Sequence, residues 1–178
     1  MESPYRTTFG VSAMKRMRGI AFALLFGGSS LAAAQQAAPP LFSNQSLYLP
    51  VYSHVMHGDV DRQGSPQRTL LSAQVSIRNT DPARPIRLVS AKYFDTAGKL
   101  VKEHVPAPKT LAPLATFELY IARSDDTGGS GASFVIQWRS DEPVNAPVVE
   151  AVHVLMTASR TLAFVTTARP IQQPIQPR

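Results

Sequence analysis

Apolar and polar side chains alternate with a period of two along most of this chain, and that alternation restricts it to β structure. Leu71, Ala73, Val75 and Ile77 alternate with Ser72, Gln74, Ser76 and Arg78. Phe117, Leu119 and Ile121 alternate with Thr116, Glu118 and Tyr120, and Phe134, Ile136 and Trp138 with Ser133, Gln137 and Arg139. Successive side chains of a strand point to opposite faces, so each segment predicts a strand with one buried and one wet face. No segment carries an apolar stripe at helical spacing.

Further strands follow from weaker patterns. Leu47 to Val55 carries Pro50, which cannot donate to a ladder and places the segment at an edge or a strand start. Ile86 to Asp95 and Lys99 to Val105 flank Thr96-Ala97-Gly98, a hairpin with glycine where a positive φ is needed. Val148 to Thr157 is apolar on both faces and predicts a central strand; Thr161 to Thr167 follows the turn at Ala158-Ser159-Arg160. Prolines 82, 85, 106, 108, 113, 143 and 147 fall in the gaps. The pattern predicts an all-β fold, an antiparallel immunoglobulin-like β-sandwich of seven to eight strands over residues 46–168, with a small barrel as the alternative. Trp138 is the expected core pin.

The first 34 residues follow a different logic. Lys15, Arg16 and Arg18 precede an uncharged stretch from Gly19 to Leu31, which closes on Ala32-Ala33-Ala34. A basic region, an apolar region and a small-x-small site together read as a cleavable signal peptide, cut after Ala34. A membrane anchor needs roughly 18–20 apolar residues, more than this Gly- and Ser-containing stretch supplies. Met1, Met14 and Met17 are all compatible starts. The expected product is periplasmic or secreted, and no lipobox cysteine follows the apolar run to anchor it. Residues 35–45 read as a Pro/Ala/Gln linker and residues 169–178 as a Pro/Gln-rich disordered tail.

The 144 residues after the cut are enough for one core, and their fourteen Lys/Arg against eleven Asp/Glu leave a net charge of +3. That charge is scattered, which argues against a nucleic-acid partner. The chain has no cysteine, so it has no disulfide, no thiol nucleophile and no thiolate metal site.

Ser76-Ile77-Arg78-Asn79-Thr80-Asp81, Tyr93-Phe94-Asp95-Thr96-Ala97-Gly98-Lys99-Leu100-Val101 and Leu111-Ala112-Pro113-Leu114-Ala115 resemble the bacterial exported family catalogued as domain of unknown function 3124. Val51-Tyr52-Ser53-His54 through Gly58-Asp59, and Gly128-Gly129-Ser130-Gly131-Ala132, also fit, so the resemblance spans roughly residues 47–168. It implies export and a β fold and supplies no activity.

Two segments concentrate chemistry. His54, Met56, His57 and Asp59, with Asp61, form a possible copper or zinc set, because imidazole with thioether suits copper and imidazole with carboxylate suits zinc. On a straight strand His54 and Met56 face opposite to His57, Asp59 and Asp61, so the set requires a turn at Gly58. The competing reading is a strand end, with the histidines bonded to backbone and Asp59 capping the turn. The second segment is the loop Asp125, Asp126, Gly128, Gly129, Ser130 and Gly131, whose glycines could aim N–H groups at an anion and whose Asp pair could hold calcium. Ser130 lies in a Gly-x-Ser-x-Ala run, but a strand follows where a nucleophile elbow needs a helix. Glu150 is expected to pair with an arginine of a neighbouring strand such as Arg139, His153 to be a core histidine, and His104 to lie on a solvated face. The expectation is a non-catalytic binding or structural module, with the strand before His54 and the glycine-rich loop as its contact surfaces for a protein or small ligand. A metal carrier is the alternative, and a hydrolase using Ser130 ranks behind both.

Overall fold

The computed structural model describes residues 38–172, which hold twelve strands: β1 (Leu41–Pro50), β2 (His54–Val60), β3 (Pro66–Leu70), β4 (Ser72–Arg78), β5 (Ile86–Phe94), β6 (Leu100–Glu103), β7 (Lys109–Leu111), β8 (Thr116–Ile121), β9 (Ser133–Asn145), β10 (Val148–Met156), β11 (Thr161–Thr167) and β12 (Arg169–Ile171). The segment expected to be an export signal, with its cut after Ala34, lies outside these residues. All pairings are antiparallel. A six-stranded sheet runs β12-β1-β9-β5-β6, with β7 also on β5; a four-stranded sheet runs β11-β10-β4-β8; β2 and β3 form a separate hairpin.

The alternation sets the core. Ala73, Val75 and Ile77 of β4 and Val149 and Ala151 of β10 face Leu47, Leu49, Ile86, Leu88, Phe134, Ile136 and Trp138 of the larger sheet in one apolar cluster. Trp138 is fully buried, as its place in the pattern predicts. Each such aliphatic side chain contributes roughly 1.5–3 kcal/mol when withdrawn from water. The strand apolar on both faces, β10, is central, with β4 on one side and β11 on the other.

Several boundaries differ from expectation. The count is twelve strands in three sheets: the expected Leu47–Val55 strand breaks at Val51–Ser53, where the chain leaves the large sheet for the hairpin, and β3, β7 and β12 fall outside the expected segments. Leu41 to Gln45, read as linker, pairs with β9 and brings Phe42 against the core. Arg169 to Ile171, read as tail, pairs with Ser46 to Tyr48. Pro170 is tolerated there because β12 is an edge strand with no second neighbour. Pro50 ends β1, beyond the three residues that β12 covers, and its carbonyl accepts a 2.7 Å bond from Thr166 Oγ1.

Candidate functional site

The polar residues of the resemblance motifs prove architectural. Asn79 is buried, and its Nδ2 donates to the carbonyls of Arg84 (2.8 Å), Ala112 (2.9 Å) and Leu111 (3.3 Å), while its Oδ1 accepts the Asp81 N–H at 3.0 Å. Asp81 accepts the N–H groups of Ala83, Arg84 and Asn145. The Ala83 N–H does most to hold the Asp81 carboxyl below the ordinary carboxylate value; burial opposes it, and the N–H groups of Asn145 and Arg84 add to the lowering. These two side chains tie three loops together at one end of the sheets.

The glycine-rich loop is likewise committed. Thr96, at the tip of the β5–β6 hairpin, donates its N–H (2.9 Å) and its Oγ1 (3.1 Å) to the Gly128 carbonyl and accepts the Gly131 N–H at 3.0 Å. The carbonyls of Gly129 and Ala132 accept the N–H groups of Ser53 and Val51. An anion cradle needs free N–H groups, whereas those of Thr127, Gly129 and Gly131 bond to Asp125, Asp126 and Thr96. Asp125 also accepts the Thr127 hydroxyl, and Asp126 lies 3.4 Å from Arg68. A Cβ on Gly128 would lie 1.9 Å from the Tyr93 hydroxyl, so glycine is present here for close packing. Ser130 has no hydrogen bond to a histidine among the described residues.

His54, Met56, His57 and Asp59 do not converge. His54 is buried, with Nδ1 3.2 Å from Ser53 Oγ; Met56 is 58% exposed; His57 Nε2 lies 2.8 Å from Thr69 Oγ1 on β3. Gly58 does take a positive φ of 70°, within an irregularity of the β2–β3 register between His57 and Val60. The turn that follows is capped by Asp61, which accepts the N–H groups of Gln63 and Ser65, in place of the expected Asp59. Both histidines bond to hydroxyls, not to backbone. Among the described residues no three His, Asp or Glu side chains are grouped so as to hold a metal ion.

Glu150 pairs with Arg78 of the adjacent strand at 2.9 Å. Arg139 cannot serve, because it belongs to the other sheet. His153 is fully buried, stacks on Phe164 at 4.6 Å and accepts the Tyr52 N–H at Nε2. Burial holds its pKa below the ordinary histidine value, against the backbone groups of Ala151 and Phe164. His104 is half-buried against Tyr93 and Phe134, not solvated as expected, and burial lowers its pKa too, with Lys102 adding to the effect and Glu103 and Asp125 opposing it. Glu103 beside it accepts Ser90 Oγ and the N–H groups of Ala91 and Val105, filling the register shift in β5.

A groove lies between the β2–β3 hairpin and the β10–β11 turn. Two adjoining hollows of about 320 and 220 Å³ share Thr69, Leu155 and Arg160. Val55, Leu155 and Leu162 supply apolar walls, and His57 lies beside them. Arg68, Arg123 and Arg160 reach the larger hollow. The turn holds Arg160 in place, since Thr157 Oγ1 both donates to its carbonyl and accepts its N–H. Arg68 has Asp126 for a partner, whereas the guanidinium groups of Arg123 and Arg160 have no acidic partner among the described residues. Sequence reasoning missed all three arginines. They are far apart along the chain, and β3, which positions Arg68, has no apolar alternation to announce it.

The fold and its spent polar groups define an all-β, antiparallel domain without a disulfide. A family model described as a protein of unknown function, DUF3124, matches residues 44–171, and the chain belongs to that family. No curated protein matches it. Among solved structures it is similar to the crystal structure of Thermotoga maritima 1070, with a TM-score of 0.39 and 11% identity over 70% of this chain and 92% of that one. So shallow a likeness bears on neither mechanism nor ligand.

Proposed function

We propose that this protein is an exported, non-catalytic binding module whose immunoglobulin-like sandwich presents the arginine-lined groove as its contact surface. One observation carries the reading: among the described residues Arg123 and Arg160 have no acidic partner, and they line a hollow with Leu70 and Leu155. Guanidinium groups over apolar walls fit a ligand with both a carboxylate or phosphate and an apolar part. The basic and apolar segments before Ala34 support export to the periplasm or medium.

Two measurements test this. N-terminal sequencing of the protein recovered outside the cytoplasm should begin at Gln35; an intact Met1, Met14 or Met17 would overturn the export reading. Citrate and inorganic phosphate, titrated separately into ¹⁵N-labelled protein, should shift the amide resonances of Thr69, Thr157 and Arg160, and Arg123→Ala/Arg160→Ala should remove the shifts. Shifts spread evenly over the surface, or unchanged in the double variant, would refute the groove as the contact site.

A further inference from the structure

We infer that the groove takes an extended acidic peptide segment, added as a strand along the free edge of β11. The inference rests on the groove being the contact surface and names its occupant. It begins from the sheet edges. Natural edge strands are kept short, charged or interrupted by proline, because their unpaired N–H and C=O groups recruit any extended chain. β12 has three residues and includes Pro170; β6 and β7 are short and carry Lys102 and Lys109; β8 presents Glu118. β11 has none of these protections. Its seven residues, Thr161–Thr167, contain no charge and no proline, and it pairs with β10 alone.

The groove adjoins this edge, because Leu162 of β11 and Arg160 just before it are among its walls. Side chains of an added strand project alternately to opposite faces, two positions apart on each. A segment lying there would place one apolar side chain against Leu162 and let acidic ones reach the larger hollow at Arg160, which Arg123 enters from the end of β8, at the opposite edge of the sheet. Charge selects the partner. Among the described residues no Asp or Glu lines either hollow, and Arg123 and Arg160 leave the larger one basic although Arg68 is paired with Asp126. The chain's own ends have the wrong sign: residues 1–37 contain Arg6, Lys15, Arg16 and Arg18 against Glu2, and residues 173–178 contain only Arg178.

The test uses the purified protein and a capped, fluorescent heptapeptide with Thr at odd positions and Leu, Glu and Glu at the even ones. Polarisation should show saturable binding, and hydrogen exchange should slow at β11 amides. Replacing both Glu by Gln should weaken binding roughly tenfold, the worth of two exposed ion pairs. Arg123→Gln/Arg160→Gln should weaken the Glu peptide equally and leave the Gln peptide unchanged. N-methylation at alternate peptide residues should abolish binding, because added strands are held by main-chain bonds. Equal affinity for the Glu and Gln peptides, indifference to N-methylation, or β11 protection that rises with protein concentration alone (a second copy on the edge) would each overturn the inference. If citrate shifts the groove resonances but the peptide does not bind, strand addition fails and the anion groove stands. If neither ligand registers, both readings fail.

Discussion

Gly128→Ala is the substitution that most directly tests the packing of the glycine-rich loop. Its Cβ would lie 1.9 Å from the Tyr93 hydroxyl, 2.6 Å from Tyr93 Cζ and 2.7 Å from the Ala132 Cβ. Ordinary carbon contacts lie near 3.5–4.0 Å, so the loop or the ring must move by roughly 1.5 Å. The ring cannot yield easily: Tyr93 is 1% exposed and stacked on Phe134 with centroids 4.9 Å apart. The loop is held in turn by its bonds to Thr96, Val51 and Ser53. Overpacking of this severity costs about 3 kcal/mol, or roughly 10 °C of Tm for a domain of this size. Gly128 has no positive φ, so backbone strain does not confound the measurement. Tyr93→Phe supplies the control. The hydroxyl has no hydrogen-bond partner, so removing it should change stability by less than about 1 kcal/mol. In the double variant the Cζ contact remains, and about 1 kcal/mol or more of the loss should return, read as the coupling in a urea-unfolding cycle. A Gly128→Ala protein within about 0.5 kcal/mol of wild type would refute the packing argument.

The remaining predictions concern the loop staple, a strained turn and pH. Asn79→Ala removes two donated bonds, one of them shared between the Ala112 and Leu111 carbonyls, and one accepted bond from a buried site and should cost about 3 kcal/mol in urea unfolding; a loss under about 1 kcal/mol would show that water replaces the side chain. Leu114 is the one described non-glycine residue with positive φ (59°), in a turn closed by the Ala115 N–H on the Ala112 carbonyl, and it is 67% exposed; Leu114→Gly should therefore raise stability by about 1 kcal/mol, and a lower Tm would contradict the strain. His153 and His104 have lowered folded pKa values, so the unfolded chain binds more protons in acid: their contribution is present above about pH 6.5 and lost as pH falls below it. His104→Phe should flatten part of that loss, seen in Tm between pH 7 and 5, and an unchanged slope would count against it. Burial, helped by Asp125, pushes the Tyr93 phenol up to about 12, so its contribution is full below pH 10 and declines between 10 and 12. Ultraviolet titration of wild type against Tyr93→Phe should lack any ionisation of that residue near pH 10.

The legible and illegible parts of this fold separate by a physical criterion. β4, β8 and the first half of β9 could be read from the sequence because each has one face in the core, and burial imposes the alternation. β3 has no buried residue, so it exists through its pairing with β2 and leaves no apolar signature. Leu41 to Asn44 lies behind two prolines, and its role shows only in the partner strand that receives it. The same limit explains the site. A run of glycines signals either freedom or close approach, and the letters are identical in the two cases. Thr96 and Tyr93, some thirty residues earlier, decide it by filling the space that a mobile loop would need. The arginines pose the converse problem. Arg68, Arg123 and Arg160 each look like an ordinary solvated side chain, and only the sheet topology places them around one hollow. Chemistry that depends on one residue type at one spacing is readable from a chain; chemistry assembled from single residues on separate strands becomes visible only once the register is known.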